Sequence, residues 1–157
     1  MSLSQRAQKI QEILAQNGAN FKVMELSAST RTANDAASTI GCEVAQIIKS
    51  LVFVVEGVEK LILVLASGIN RVNEKAIEKE VGAKIAKADA DFVKETTGFA
   101  IGGIPPVGHK QTIETYIDED LLGWNELWAA AGTPHAVFKL KSEELQKLTS
   151  GKIISIK

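Results

Sequence analysis

Two stretches of the sequence carry residues whose type and spacing could do chemistry. The first is QIIKSLVFVV, residues 46–55, where Lys49 interrupts an apolar run. An ionised lysine is expensive to bury unless it is paired or solvated by a cleft. Burial without a partner lowers its pKa from the usual value of about 10.4. Two readings are open: a lysine near a strand's start that snorkels to solvent, or a catalytic or anion-binding group. The second stretch is GFAIGGIPPVGH, residues 98–109, with four glycines, two adjacent prolines and a closing histidine. It suits neither a helix nor a central strand, because glycine costs backbone entropy and proline lacks the N–H. Gly102 and Gly103 would let a ligand approach the backbone closely, and Pro105 and Pro106 would stiffen the loop. Oriented amides of that kind can polarise a carbonyl or hold an oxyanion. A tight crossover between strands is the alternative.

Other chemistries fail on spacing. Gly98-x4-Gly103 is followed by Ile104 and Pro105 rather than by the Lys-Ser/Thr of a phosphate loop, and no G-x-G-x-x-G occurs. Two histidines and one cysteine, far apart, make no metal-ligand set. No nucleophile elbow is present. No cofactor and no metal is expected. Cys42 reads as packing, and His135 as an exposed residue opening a strand. Trp124 and Trp128, four apart, read as an amphipathic packing pair, with stacking on a base as the alternative.

The elements that must hold these residues follow from periodicity and punctuation. Residues 3–18 read as an amphipathic helix with apolar Leu3, Ile10, Ile13 and Leu14, capped by Ser2 or Ser4 and stopped by Gly18. Residues 20–26 read as a strand. Residues 30–41 give a helix capped by Thr32 and ended by Gly41. Residues 47–57 and 60–68 form a hairpin about Glu56 and Gly57. Helices follow at 73–82, from Asn73 to Gly82, and at 89–98. Strands are expected at 112–118 and 135–141, a helix capped by Ser142 at 142–151, and a last strand at 152–157. On the first strand of the hairpin, Ile47, Lys49, Leu51, Phe53 and Val55 share one face, and Ile48, Ser50, Val52 and Val54 the other. Irregular alternation with hairpins predicts an α+β fold with a mixed β-sheet wrapped by helices, not a doubly wound one.

Composition bounds the rest. A chain of 157 residues is expected to form one domain, residues 1–157, with a core of its own. Its 18 basic residues are balanced by 19 acidic ones, which argues against a general nucleic-acid binder. Between Arg71 and Lys94 basic and acidic residues interleave, so no basic patch is visible there. The single cysteine excludes an internal disulfide framework and suits a reducing compartment. No apolar run is long enough to span a membrane, and the N-terminus lacks a signal-peptide core. A cytoplasmic protein without membrane partners is expected.

The two chemistry-bearing stretches together resemble the YbaK family, also called the prolyl-tRNA-synthetase-associated or INS-like editing domain. That family's pattern is a lysine, a small polar residue and an apolar strand, then G-(Y/F)-x-x-G-G-(V/I)-x-P-x-G-(H/Q). TRTANDAA, with Thr32, Ala36 and Ala37, resembles its Thr-x-x-x-Ala-Ala helix start. AAGTPHAVFKL, with Gly132, resembles its late Ala-Gly strand entry. The resemblance runs over residues 5–157. One departure is Pro105, where a small polar residue is common; a proline there offers no N–H donor.

The resemblance implies trans-editing: release of a small amino acid of the Ala, Cys, Ser or Thr class wrongly attached to tRNA, with proline tRNA foremost. It implies catalytic roles for Lys49, Gly102 and Gly103, and substrate-binding roles for Thr32, Ser50, Ile104, Pro106, Gly108, His109 and Gly132. His109 would hold the ribose or a phosphate, or else brace the loop. Small residues beside the lysine and in the loop, Ser50 and Ala100 among them, suit a pocket for a small side chain. The implied partners are the 3′ end of an aminoacyl-tRNA and, as a candidate, prolyl-tRNA synthetase. Two competing readings stand beside this one. One is a non-catalytic module that binds aminoacyl-tRNA ends or a synthetase; the other is an esterase acting on free small molecules.

Overall fold

The structure, a computed structural model, describes residues 4–16, 21–28 and 32–157. The expected cap Ser2, the apolar Leu3 and the stop at Gly18 lie outside these. Helix α1, Gln5–Gln16, buries Ala7, Ile10 and Leu14, a spacing that puts all three on one face. Strand β1, Val23–Glu25, follows. Helix α2, Ala33–Ile40, starts as expected: the Thr32 hydroxyl accepts the Asp35 N–H at 3.1 Å. Gly41, with φ +85°, ends it by donating its N–H to the Ala37 carbonyl.

The hairpin forms as expected. Strands β2, Ile48–Val55, and β3, Lys60–Ser67, pair antiparallel over their full length, with Lys49 opposite Ala66. Helix α3, Glu74–Val81, is capped by the Asn73 side chain and closed by Gly82. Helix α4, Ala90–Thr97, is capped by Asp89 and closed by Gly98. Strand β5, Glu114–Asp118, follows the glycine loop. Strand β7, Ala136–Lys141, leads into α5, Ser142–Thr149, and the chain closes with β8, Lys152–Ile154.

Three details differ from expectation. Strands β4, Ile85–Lys87, and β6, Glu126–Ala130, were not anticipated; both are short, and their pairing is set by distant partners. Ser142 is not a cap but the first residue of α5; Glu144 reaches back to the Lys141 N–H at 2.9 Å. The α+β class stands, but the strands divide between two sheets. One is antiparallel, in the order β1-β7-β6; the other is mixed, in the order β4-β2-β3-β5-β8.

The division follows from burial. Strand β3 is central and apolar on both faces, as a doubly covered strand must be. On one face Leu61, Leu63 and Leu65 pack with α1 and with Leu127, Phe138 and Leu140 of the smaller sheet. On the other, Ile62, Val64 and Ala66 pack with Phe53, Val55 and Ile77 of α3. A bridge between Ile47 and Trp128 joins the two sheets. Sheet pairing beyond β2 covers only Phe53–Val55, where β4 lies. The β2 edge at residues 48–51 is thus left open toward β6.

Candidate active site

A cleft of about 290 Å³ occupies that open edge. Lys49, Ser50 and Leu51 line it from β2, Thr32 and Ala36 from α2, and Trp128 from β6. Ile101, Gly102 and Ile104 close it from the glycine loop. The fold therefore brings together five of the ten predicted site residues: Lys49, Gly102, Thr32, Ser50 and Ile104.

The expected alternation along β2 holds. Leu51, Phe53 and Val55 pack toward α3, and Ile48, Val52 and Val54 toward the opposite core. Lys49 is only partly covered. Its Nζ donates to the Asn70 carbonyl at 2.6 Å and makes no ion pair among the described residues. Burial is the main cause that pushes its pKa below the ordinary lysine value, nearby Arg71 acts in the same direction, and Asp118 opposes them. An ammonium has three donors, so two remain for a ligand. Next to it, the Ser50 hydroxyl is buried and makes no hydrogen bond. A polar atom left so is costly unless a ligand satisfies it.

In the loop, the Gly102 and Ile104 N–H groups have no hydrogen-bond partner among the described residues. Gly102 has φ +98°, a conformation natural to glycine. Gly103 differs. Its N–H donates to the Ala100 carbonyl at 3.1 Å, and it does not line the cleft. A Cβ there would sit 2.9 Å from the Thr133 carbonyl carbon, so the glycine is required by the 132–133 backbone beside it. Gly132 donates its N–H to the Gly103 carbonyl at 3.0 Å. It too clamps the loop rather than lining the cleft.

The remaining predicted residues lie on the loop's far side. Pro106, Gly108 and His109 line a separate hollow with Thr115 and Thr149. Gly108, with φ +86°, lies where a Cβ would meet the Ile10 and Ile13 methyls of α1 at 3.0 Å. The His109 Nε2 is 2.7 Å from the Pro105 carbonyl, and its ring meets Phe99 edge-on. That contact ties the end of the loop back to its middle. Pro105, which removes one donor from the loop, contributes the acceptor for that contact. Ala100 is exposed and lies outside the cleft lining.

Two contributors escaped sequence reasoning. Trp128 is a wall of the cleft and carries Lys139 over its ring at 5.9 Å; it does not pair with Trp124, which packs on the main core. The signal was the period-2 pattern Leu127/Ala129 against Trp128/Ala130, masked by the four-residue spacing of the tryptophans. The other is Asn70, whose backbone holds Lys49. His135 is exposed as expected, and Cys42 packs beside α2, where burial raises its pKa. Among the described residues no cluster of histidine, cysteine and acidic side chains could hold a metal ion. No described helix is long and apolar enough to cross a membrane.

A cleft that joins a lysine, an unpartnered hydroxyl and free loop amides is a place to hold a carbonyl or an anion. Comparison with known proteins says which kind. The aminoacyl-tRNA editing domain family matches residues 27–148, most of the chain and every residue of the cleft. The chain belongs to the aminoacyl-tRNA editing domain family. Over 131 residues, 83% of either chain, this editing domain is 32% identical to YwhH of Bacillus subtilis. It is 27% identical to EbsC of Enterococcus faecalis over 80% of its own length and 76% of that protein. EbsC is provisionally named a Cys-tRNA(Pro)/Cys-tRNA(Cys) deacylase. A crystal structure described provisionally as a trans-editing enzyme for prolyl tRNA synthetase superposes with a TM-score of 0.93 at 48% identity, covering 99% of both chains. The family-level association of this editing domain is therefore with aminoacyl-tRNA deacylation.

Proposed function

We propose that the protein is a trans-editing deacylase that hydrolyses the ester between a small amino acid and the 3′ end of tRNA, proline tRNA being the carrier. The observation that carries this reading is the cleft itself, lined by Lys49, Ser50, Gly102 and Ile104, the N–H groups of the last two having no hydrogen-bond partner among the described residues. The reaction adds water to the ester carbonyl carbon. Negative charge gathers on the carbonyl oxygen, the bond to the ribose oxygen breaks, and that oxygen takes a proton. Amides of the loop stabilise the developing charge, at about 3 kcal/mol for a well-placed donor. Lys49 serves as a fixed positive charge beside the ester or the terminal phosphate. Ser50 supplies a hydroxyl for the bound aminoacyl group. Where the substrate carries a thiol, its own side chain is a competent nucleophile and the protein need only position it. Proline tRNA as carrier, and prolyl-tRNA synthetase as partner, are supported by the likeness to EbsC and to the solved relative.

The test is a release assay on one proline tRNA charged in turn with alanine, serine, cysteine, threonine and phenylalanine. Small residues should be released within about two orders of magnitude of one another, because an apolar pocket separates one methylene by only about 1–3 kcal/mol. Phenylalanine should be released hardly at all. Lys49→Ala should abolish release with its melting temperature unchanged or slightly raised, since it removes a poorly hydrated charge without stranding an ionic partner. Retention of more than about a third of the rate, under ~0.7 kcal/mol of barrier, would exclude Lys49 from the chemistry. Binding of charged tRNA without release would instead show a non-catalytic module.

A further inference from the structure

A polar network behind the cleft is not used by the proposed chemistry. Asp118, at the end of β5, is completely buried. Its Oδ2 accepts the Ser67 N–H at 2.9 Å and the Asn70 Nδ2 at 2.8 Å, and its Oδ1 accepts the Asp120 N–H at 2.9 Å. The Asn70 Nδ2 also donates to the Asp120 Oδ2 at 2.8 Å. That same Asp120 oxygen is ion-paired with Lys157 at 2.9 Å. The Asn70 N–H closes a turn onto the Ser67 carbonyl at 2.9 Å. Residue 70 is thus tied through its backbone N–H and its side-chain amide, and its backbone carbonyl receives Lys49.

Dehydrating a carboxylate is unfavourable unless hydrogen bonds replace its water. Here three donors do so, and two of them belong to the 67–70 turn. Strand β2 fixes only the root of Lys49. A lysine side chain has four flexible torsions, and among the described residues the Asn70 carbonyl is the one acceptor its ammonium finds. The place of the charge in the cleft therefore depends on where that carbonyl stands.

We propose that Asp118 is a positioning residue for Lys49: it clamps the 67–70 turn through the Asn70 amide, and the Asn70 carbonyl holds the ammonium at the wall of the cleft. The inference rests on the cleft being the active site. The charged groups acting on Lys49 are Arg71, from the loop after β3, and Asp118, from β5. Asp120 and Lys157 stand one bond further out and offset each other. Removing the Asp118 charge takes away the influence that opposes burial and Arg71. The Lys49 titration then moves to lower pH, and so does the alkaline limb of the deacylation profile.

The experiment has two arms. In the first, competitive acetylation of the folded protein across a pH series, read by mass spectrometry, gives the Lys49 titration without any tRNA. In the second, kcat and KM for deacylation are measured across the same pH range. Asp118→Asn should lower the Lys49 midpoint. Both Asp118→Asn and Asn70→Ala should lower kcat by about tenfold or more, with KM within about threefold. An unchanged Lys49 titration in folded Asp118→Asn overturns the proposal. So does a rate loss that only tracks lost folded protein while the pH profile stays that of the wild type. Should Asp118→Asn fail to fold, Asn70→Ala decides, because it keeps the carboxylate and the backbone carbonyl: a wild-type kcat in that variant overturns the proposal. A wild-type protein without deacylase activity would sink the functional reading, and the titration arm would still judge the clamp.

Discussion

His109 belongs to the glycine-loop motif but lines a hollow apart from the Lys49 cleft. It is largely buried, and burial lowers its pKa while the Pro105 carbonyl acts in the opposite direction. The folded chain therefore favours the neutral ring. Between the lowered folded pKa and the ordinary value of about 6.5, the unfolded chain binds more protons than the folded one. Its contribution to stability is complete above about pH 6.5 and is lost as the pH falls through that window. His109→Gln keeps a donor for the Pro105 carbonyl but cannot titrate. Its melting temperature should change less between pH 7 and pH 5 than that of the wild type. Parallel curves for the two proteins would show that His109 does not titrate in this way.

The glycine loop and β6 act as elements, and their predictions follow from packing. Gly103→Val would drive a branched side chain into the Thr133 backbone, whose nearest atom lies 2.9 Å from a Cβ. Backbone cannot swing aside as a side-chain tip can. Overpacking of this kind costs about 1–3 kcal/mol, visible as a lower midpoint in urea unfolding. Deacylation should fall with it, because Gly102 and Ile104 flank the displaced residue. A variant with wild-type stability and no activity would instead give Gly103 a direct role toward the ligand. On the opposite wall, Trp128→Ala removes an indole that lines the cleft. Release of phenylalanine relative to alanine should rise by about tenfold, the worth of ~1.4 kcal/mol. An unchanged ratio would mean that Trp128 is not the wall that limits size.

At the scale of the whole molecule, charge sets how much of a tRNA can be gripped. The net charge is −1, and four exposed lysines are spent on ion pairs: Lys60 with Glu114, Lys139 with Glu126, Lys152 with Glu80 and Lys157 with Asp120. With no net positive charge and no basic patch legible in the sequence, few phosphate contacts are expected. Raising salt from about 50 to 200 mM should lower kcat/KM by no more than about tenfold, against the 10³–10⁵ of a protein with six or more phosphate contacts. A steeper fall would reveal a binding face made of lysines drawn away from these partners. Swapping the tRNA body while the amino acid is held constant should likewise change the rate little.

Local signals settled the helices and the hairpin. Thr32, Asn73 and Asp89 cap where a short oxygen-bearing side chain precedes an amphipathic run, and Gly41, Gly82 and Gly98 stop where a positive φ is needed; each depends on neighbours within four residues. The same locality let the alternation along β2 place Lys49 at the edge of an apolar strand. The motif pair was also legible, and with it the family. Tertiary structure decided the rest, because it turns on contacts between distant segments. Strands β4 and β6 take their places by pairing with segments distant in sequence. Gly103 is crowded by the Thr133 backbone, and Gly132, at φ +96°, by Ile10 and the Arg6 carbonyl of α1 and by Phe99. His109 lines a different hollow from Lys49, next to the Gly108 that packs on α1. Asn70 and Asp118, 48 residues apart in sequence, meet only when β3 and β5 align in parallel, and no periodicity within either strand could say that one would hold the turn on which Lys49 rests.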